Sequence, residues 1–270
     1  VRGEYRERVR VEDAVRVELQ VTGSGPPLLL LAGQANDHHW WDRVQSCYSD
    51  FFTVVTFDYR GTGQTPLGAA PLSTRKLAQD AVRCLDALGI ARCHVFGTSM
   101  GGRVAQWLAA DAPSRVDRLV LGCTTPGGAN AVERSEEVRM SLVADSSSTR
   151  DVLASLMYTD RFLADVPPPY FTLGDVNMTG DARAEHLRAS ATHDAWDVLS
   201  TIASPALILH GTDDLLAPVI NSELLASRLP NAEVRTFPGV RHAFFEERAA
   251  ETFDAIARFT GVAAGSLFGR

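Results

Sequence analysis

Lysine is almost missing from this chain. Lys76 is the only one, and arginine supplies the rest of the 26 basic residues. Against 33 Asp and Glu, the formal net charge is -7 at pH 7. No basic run or stripe occurs, which argues against nucleic acid as a partner. The arginine excess reads as a composition bias, not as a binding device. Long apolar runs are missing too. The longest, PPLLLLA at residues 26–32, is far shorter than the roughly 20 residues that span a bilayer, so no membrane partner is expected. The opening VRGEYRERVR is charged and lacks the apolar stretch of a secretory signal. Cysteine is scarce: Cys47, Cys84, Cys93 and Cys123 form no CxxC pair and no metal-ligand spacing. They read as free thiols of a reducing compartment, which makes a cytoplasmic location the expectation. There is no internal repeat and no low-complexity linker.

What is present is an alternation of apolar runs and helical patterns. RERVRV and AVRVELQV alternate as strands do, with Glu12-Asp13 expected as a hairpin turn between them. LLLLA (28–32) and FFTVVTFD (51–58) are unbroken apolar runs, as in strands buried on both faces. STRKLAQDAVRCLDALGI has apolar residues at helical spacing, with Ser73 or Thr74 as N-cap and Gly89 as the stop. A strand over RCHVFGT, a helix ending before Pro113 and a strand over VDRLVLGCT follow. Such repeats predict crossover connections and a mostly parallel sheet with helices on both faces. The rhythm breaks at Pro126 and resumes with PALILHG, a helix over 218–228, the strand AEVRTFPG and a last helix over 245–259. Residues 1–125 and 205–270 therefore read as an α/β core. Residues 126–204 read as a small helical lid, inserted at the strand ends where ligands bind in such sheets.

The stretch HVFGTSMGGRVAQW poses a sharper question, because Gly97, Gly101 and Gly102 crowd the junction of a strand and a helix. Glycine weakens both element types. G-x-S-x-G in that context is a nucleophile elbow. Its turn holds Ser99 exposed at a helix N-terminus, where free N–H groups favour a developing anion. A serine needs a base. Among seven histidines, His242 follows the last strand, and a parallel sheet delivers that loop to the same edge as Ser99. His94 lies inside a strand and should point away. His210 closes a strand and reads as packed, and His186 and His193 belong to the lid. His38 and His39 lie near the site, but as sequence neighbours their rings are not expected to share a metal. An acid must orient the base, and Asp213 and Asp214 both stand just past a strand.

These residues resemble the α/β-hydrolase superfamily over about residues 14–260. DYRGTGQT (58–65) is similar to its D-x-R-G-x-G-x-S stretch, GTDDLLAP to G-x-x-D-x-x-x-P, and GVRHAFFE to G-x-x-H with a carboxylate four residues on. The resemblance implies an eight-stranded sheet and a Ser99, Asp214, His242 triad, and so favours Asp214 over Asp213. It also implies an oxyanion hole from the N–H groups of Gln34 and Met100, and no metal or organic cofactor. The branch resembled is that of 3-oxoadipate enol-lactonases, small esterases and non-haem haloperoxidases. One departure is LAGQANDHHWW, where Ala32-Gly33 stands for the family's His-Gly. The Gln34 side chain could then narrow the pocket.

The expected activity is acyl transfer from a small carboxylic ester or lactone to Ser99, then to water. On the same triad, perhydrolysis, haloperoxidase chemistry or carbon–carbon bond hydrolysis are alternatives, and a ligand-binding sensor is an alternative of another class. A serine argues against the dehalogenase and epoxide-hydrolase members, which resemble one another in having aspartate there. Trp40, Trp41, Phe162, Tyr170, Trp196 and Phe244 are candidates for an apolar cavity, with Trp40, Trp196 and Phe244 preferred. Arg134, Arg139 and Arg161 are candidates to meet an anionic substrate. The oligomeric state is not legible.

Overall fold

The unbroken apolar runs become the middle of one sheet. In a computed structural model, which describes residues 5–69, 71–143 and 149–262, eight strands form a single sheet in the order β1-β2-β4-β3-β5-β6-β7-β8. The strands are β1 (Tyr5–Arg10), β2 (Arg16–Gly23), β3 (Pro27–Leu31), β4 (Thr53–Phe57), β5 (Cys93–Thr98), β6 (Val116–Gly122), β7 (Ala206–Gly211) and β8 (Ala232–Phe237). β1 and β2 pair antiparallel, as do β2 and β4, and every other pairing is parallel. β5 and β7 are buried along their whole length, whereas β1 and β8 at the edges are largely exposed. The composition difference follows: LLLL and ALILHG inside, RERVR and AEVRTF outside.

Ten α-helices occur among the described residues. In chain order they are α1 (Gln45–Ser49), α2 (Thr74–Ala87), α3 (Met100–Asp111), α4 (Glu136–Val143), α5 (Thr149–Met157), α6 (Asp160–Asp165), α7 (Gly180–Ala191), α8 (Ile220–Arg228), α9 (Phe244–Glu247) and α10 (Ala249–Thr260). Ser73 caps α2 by accepting from the Lys76 N–H at 3.1 Å, and Gly89 ends that helix with a positive φ. Side chains alternate along β5. Phe96 packs against Trp41 and Tyr48 on the side of α1 and α10, while Gly97 faces α3 on the other side. Both faces of the sheet are thus covered. Two boundaries differ from the sequence pattern. A 3-10 turn over Glu12–Ala14 joins β1 to β2 in place of a simple hairpin turn, and the last helix breaks at Arg248 into α9 and α10. The described residues between β6 and β7 carry α4 to α7 and no strand of the sheet, and the Pro168–Pro169 bond between α6 and α7 is cis. No helix among the described residues is long and apolar enough to cross a membrane.

Candidate active site

Parallel strands deliver their C-terminal ends to one edge. β3 ends before Gln34, β5 just before Ser99, β6 just before Cys123 and Thr124, β7 before Asp214 and β8 before His242. A cavity of about 360 Å³ opens there, and Gln34, Trp40, Ser99, Thr124, Ala217 and His242 are among the residues lining it.

The glycines at the elbow are sterically required. A Cβ on Gly97 would lie 2.2 Å from the Gly101 carbonyl oxygen, and one on Gly101 would lie 2.0 Å from that of Leu31. Gly102 abuts Thr124, where a Cβ would sit 2.6 Å from the side chain. Ser99 itself holds φ 55, ψ -122, a conformation that costs a residue with a Cβ on the order of 1–3 kcal/mol and persists only where its surroundings impose it. Its N–H donates to Gly122 O (2.9 Å) and its carbonyl accepts from Thr124 Oγ1 (2.7 Å). The serine is thus clamped by its backbone, while its Oγ makes no hydrogen bond with another described residue. Met100 opens α3, so its N–H has no acceptor within the helix.

Asp214 and His242 are both buried. His242 Nδ1 lies 2.7 Å from Asp214 Oδ2. An ionised carboxylate only accepts, so Nδ1 carries the proton and Nε2 keeps its lone pair. Asp214 Oδ1 accepts from the N–H groups of Leu216 and Ala217, each at 2.9 Å. Burial alone would raise the Asp214 pKa, but His242 and His210 outweigh it and hold the carboxyl well below the usual range. Asp213 is exposed and receives only the Thr212 hydroxyl.

His210 was not legible as part of this group. Its Nδ1 accepts from Ser222 Oγ (2.8 Å), which leaves Nε2–H to donate to Ala217 O (2.7 Å) and, more weakly, to Asp214 Oδ2 (3.2 Å). It is packed, as expected, but packed onto the buried acid. Cys123 also lies on the cavity wall. Burial and the neighbouring Asp214 push its thiol well up, away from thiolate.

Two preferred aromatic candidates lie off the cavity. Trp196 is half-buried with the Arg228 guanidinium 5.1 Å from its ring. Phe244 is fully buried, stacked on Phe237 at 5.1 Å and edge-on to Phe245 at 5.9 Å. Both follow the common fate of aromatics near strand ends, which is core packing. Trp41 is likewise buried core, and Phe162 and Tyr170 pack on Tyr158. Trp40 does line the cavity, held by an Nε1–H bond to Thr98 Oγ1 (2.9 Å), and only the missing Cβ of Gly33 admits its ring. Of the three arginines, Arg134 reaches the cavity. Arg139 is exposed and paired with Glu136, and Arg161 is exposed and lies 3.7 Å from Asp165. His94 faces Phe52 and lies 3.5 Å from Asp117, away from the cavity.

His38 and His39 do lie ring against ring, with centroids 4.1 Å apart, and with Asp37 they bring ligand-type atoms within 4.8 Å of one another. Hydrogen bonds already engage the rings. His38 Nδ1 is 2.6 Å from Asp58 Oδ1, its Nε2 is 2.5 Å from the Gln20 amide oxygen once that amide is turned to satisfy its donors, and His39 Nδ1 is 2.7 Å from Asp42. That donor set suits an imidazolium at His38 rather than a metal. Burial lowers the His38 pKa, but Asp58 more than compensates and the net shift is upward.

Sequence reasoning also missed how the loop beside Gln34 is held. Ala35 takes a left-handed φ of 57. Its N–H donates to His186 Nδ1 (3.2 Å), its carbonyl accepts from the Asp175 N–H (2.8 Å), and Asn36 Oδ1 accepts from the Gly174 N–H (3.0 Å). All three partners come from the segment between β6 and β7.

With that geometry in view, the alpha/beta hydrolase fold family model matches residues 26–249, and the chain belongs to that family. Within it, the chain is 28% identical over 243 residues to a Caulobacter sp. (strain K31) protein named "Putative carbamate hydrolase RutD", covering 84% of this chain and 87% of that one. A hydrolase from Pseudomonas aeruginosa has a similar structure, with a TM-score of 0.83 and 26% identity, covering 95% of this chain and 98% of that one. The enol-lactonase from Burkholderia xenovorans LB400 shares the fold at a TM-score of 0.79 and 22% identity, over 94% and 100% of the two chains.

Proposed function

We propose that this protein is a serine hydrolase of small carboxylic esters or lactones, with Ser99 as nucleophile, His242 as base and Asp214 as its orienting acid. The observation that carries the reading is the Asp214–His242 bond at 2.7 Å, on the wall of the cavity that Ser99 shares. Ser99 Oγ attacks the carbonyl as its proton passes to His242 Nε2, and the imidazolium is stabilised by Asp214. The N–H groups of Gln34 and Met100 receive the oxyanion, an interaction worth about 3 kcal/mol of barrier per donor. The alcohol leaves with the proton from His242, and water, activated by the same ring, hydrolyses the acyl-enzyme. The Ser99–His242 hydrogen bond would form as substrate closes the site, a tightening common in such pairs. Residues 126–204 act as a lid over this edge.

A carbamate is a second substrate of the same chemistry, favoured by the name of the Caulobacter relative. Its carbonyl would form a carbamoyl-enzyme at the same serine. The decisive experiment is turnover of a p-nitrophenyl ester by the native protein and by Ser99→Ala, with mass spectrometry of the trapped acyl group. An acyl adduct on Ser99 and loss of turnover in the variant are expected. A protein that binds esters without turning them over would instead be a sensor.

A further inference from the structure

The cavity wall carries charge of one sign. Three arginines line it, Arg103 from α3, Arg134 from the stretch before α4 and Arg183 from α7, and none of the described residues lining it is acidic. This is unexpected for a chain of net charge -7. Several arginines elsewhere in the molecule find carboxylates, among them Arg60 with Asp80, Arg75 with Asp111, Arg115 with Asp86 and Arg188 with Glu185. The cavity arginines do not. Arg103 is buried, and its guanidinium donates to Ser190 O (2.6 Å), Ser190 Oγ (2.9 Å) and Thr125 Oγ1 (3.0 Å), all neutral acceptors. Arg134 is half-buried and Arg183 exposed, and the side chain of neither forms a hydrogen bond or ion pair with a described residue. Glu133 is near enough to attract both Arg103 and Arg134, but it is exposed and forms no ion pair with either.

A buried guanidinium without a counter-charge is costly unless something else supplies one. Burial, together with repulsion from Arg134, pushes the Arg103 guanidinium down to about 10 despite Glu133. Asp214 also attracts Arg134, but its carboxylate is already engaged by His242, His210 and the Leu216 and Ala217 N–H groups and does not line the cavity. We infer that the cavity takes a substrate bearing a carboxylate remote from the scissile carbonyl, held by Arg103 and Arg134. Examples are the hemiester of a small dicarboxylic acid, or a lactone with a carboxylate side arm. The planar guanidinium fork matches a carboxylate in two parallel hydrogen bonds. The cavity, at about 360 Å³, is at the small end for ligand sites, which fits a short dicarboxylate skeleton. The carboxylate takes no part in bond making. It fixes which way the acyl group faces Ser99.

This inference rests on the hydrolase reading, and the test keeps the two apart. The first measurement is kcat/KM for monomethyl and dimethyl esters of succinate, glutarate and adipate, with the native protein, Arg134→Gln and, as a surface control, Arg139→Gln. The second is calorimetric binding of glutarate and adipate to Ser99→Ala, with and without Arg134→Gln. The hemiester should be preferred over its diester by about 10- to 100-fold, the scale of one charge-assisted hydrogen bond. Arg134→Gln should collapse that ratio toward one and weaken dicarboxylate binding by a similar factor, while Arg139→Gln leaves the ratio unchanged. Arg134 has no structural partner to lose, so its variant should fold. Equal or better turnover of the diesters, or dicarboxylate binding unaffected by Arg134→Gln, would overturn the carboxylate subsite. If no ester of either charge is turned over, the hydrolase reading fails, and dicarboxylate binding alone then decides the subsite: its absence rejects it.

Discussion

The elbow and the segment between β6 and β7 are held in place by different physics. At the elbow, position is enforced by exclusion. Gly97 and Gly101 touch backbone with no room for a methyl group, and Ser99 has its N–H and carbonyl pinned to β6 and the residues after it. The inserted segment is held by polar contacts spread along its length, over a thinner apolar base. His186 bonds to Ala35 N and Arg60 O, and His193 to Thr74 Oγ1 (2.9 Å) and Gln106 Oε1 (3.3 Å). Tyr158 donates to Glu246 (2.8 Å), whose carboxyl is pushed up to about 7 by burial against the opposing pull of Tyr158 and Arg43. Met140 on α4 and Leu187 on α7 stay exposed. A region fixed by steric exclusion has one arrangement. A region fixed by hydrogen bonds to the core can open as a unit, at a free energy below that of global unfolding.

The largest effects should fall on the rigid side. Ser99→Ala should lower kcat for a p-nitrophenyl ester by more than about 10³-fold with an unchanged melting curve, since triad knockouts leave little beyond oxyanion and binding contributions. Asp214→Asn should cost about 10⁴-fold by fixing the wrong tautomer of His242. Asp213→Asn, at an exposed position, should stay within a few-fold. Parallel kcat measurements decide the pair, and the reverse ranking would move the acid to Asp213.

Next comes the junction of the two regions. His186→Ala strips the acceptor from Ala35 N, leaving a donor that costs about 1–3 kcal/mol if it stays buried and unpaired. The expected result is a kcat 10- to 100-fold lower with little change in KM, together with faster amide exchange confined to 174–191. Uniform exchange across β5 and α3 as well would erase the contrast between the regions.

Acid should loosen the inserted segment before the core. Burial is the main cause holding His186 and His193 below their ordinary value of 6.5, with Arg103 adding to the effect at His193. The unfolded or detached form therefore binds protons that the docked form refuses. Docking stability is complete above pH 6.5 and falls as pH drops below it toward the lower folded values. His38 has the opposite sign: its raised pKa adds stability below pH 6.5 that is lost as pH climbs through the folded value. Amide exchange of α7 compared between pH 7.5 and pH 5, corrected for intrinsic rates, should show selective acid opening, reduced in His193→Gln.

The smallest effect is expected at Trp196. Its ring is half-buried beneath Arg228 and away from the cavity. Trp196→Ala should cost about 1–2 kcal/mol, less than a fully buried tryptophan, and leave the ranking of unlike esters unchanged. A changed ranking at equal stability would restore it as a pocket residue.

The same contrast explains what the sequence disclosed. The sheet, the elbow and the strand-end positions of Asp214 and His242 were legible because their signals are local: apolar runs, a five-residue glycine pattern and loops at known strand ends. His186, His193 and Arg103 were not, because their partners lie 151, 119 and 87 residues away. Nothing near ARAEHLRA announces that its histidine will hold the amide of Ala35. Trp196 and Phe244 misled for a related reason. Composition marks an aromatic as something to bury, but not whether the neighbour will be a cavity or a wall.

The left-handed residue at position 35 has a consequence for timing. Ala35 holds its unfavourable backbone only while His186 and Asp175 grip both of its polar groups. The Gln34 amide, proposed to meet the oxyanion, is the next one along the chain. If the inserted segment is the lid proposed above, lifting it to admit a substrate would release that grip, and returning it would restore the loop. Entry and readiness would then be mutually exclusive states of one lever. A substrate that could not draw the segment back down would meet the proposed nucleophile without its electrophilic partner, so selection would operate through closure as much as through fit.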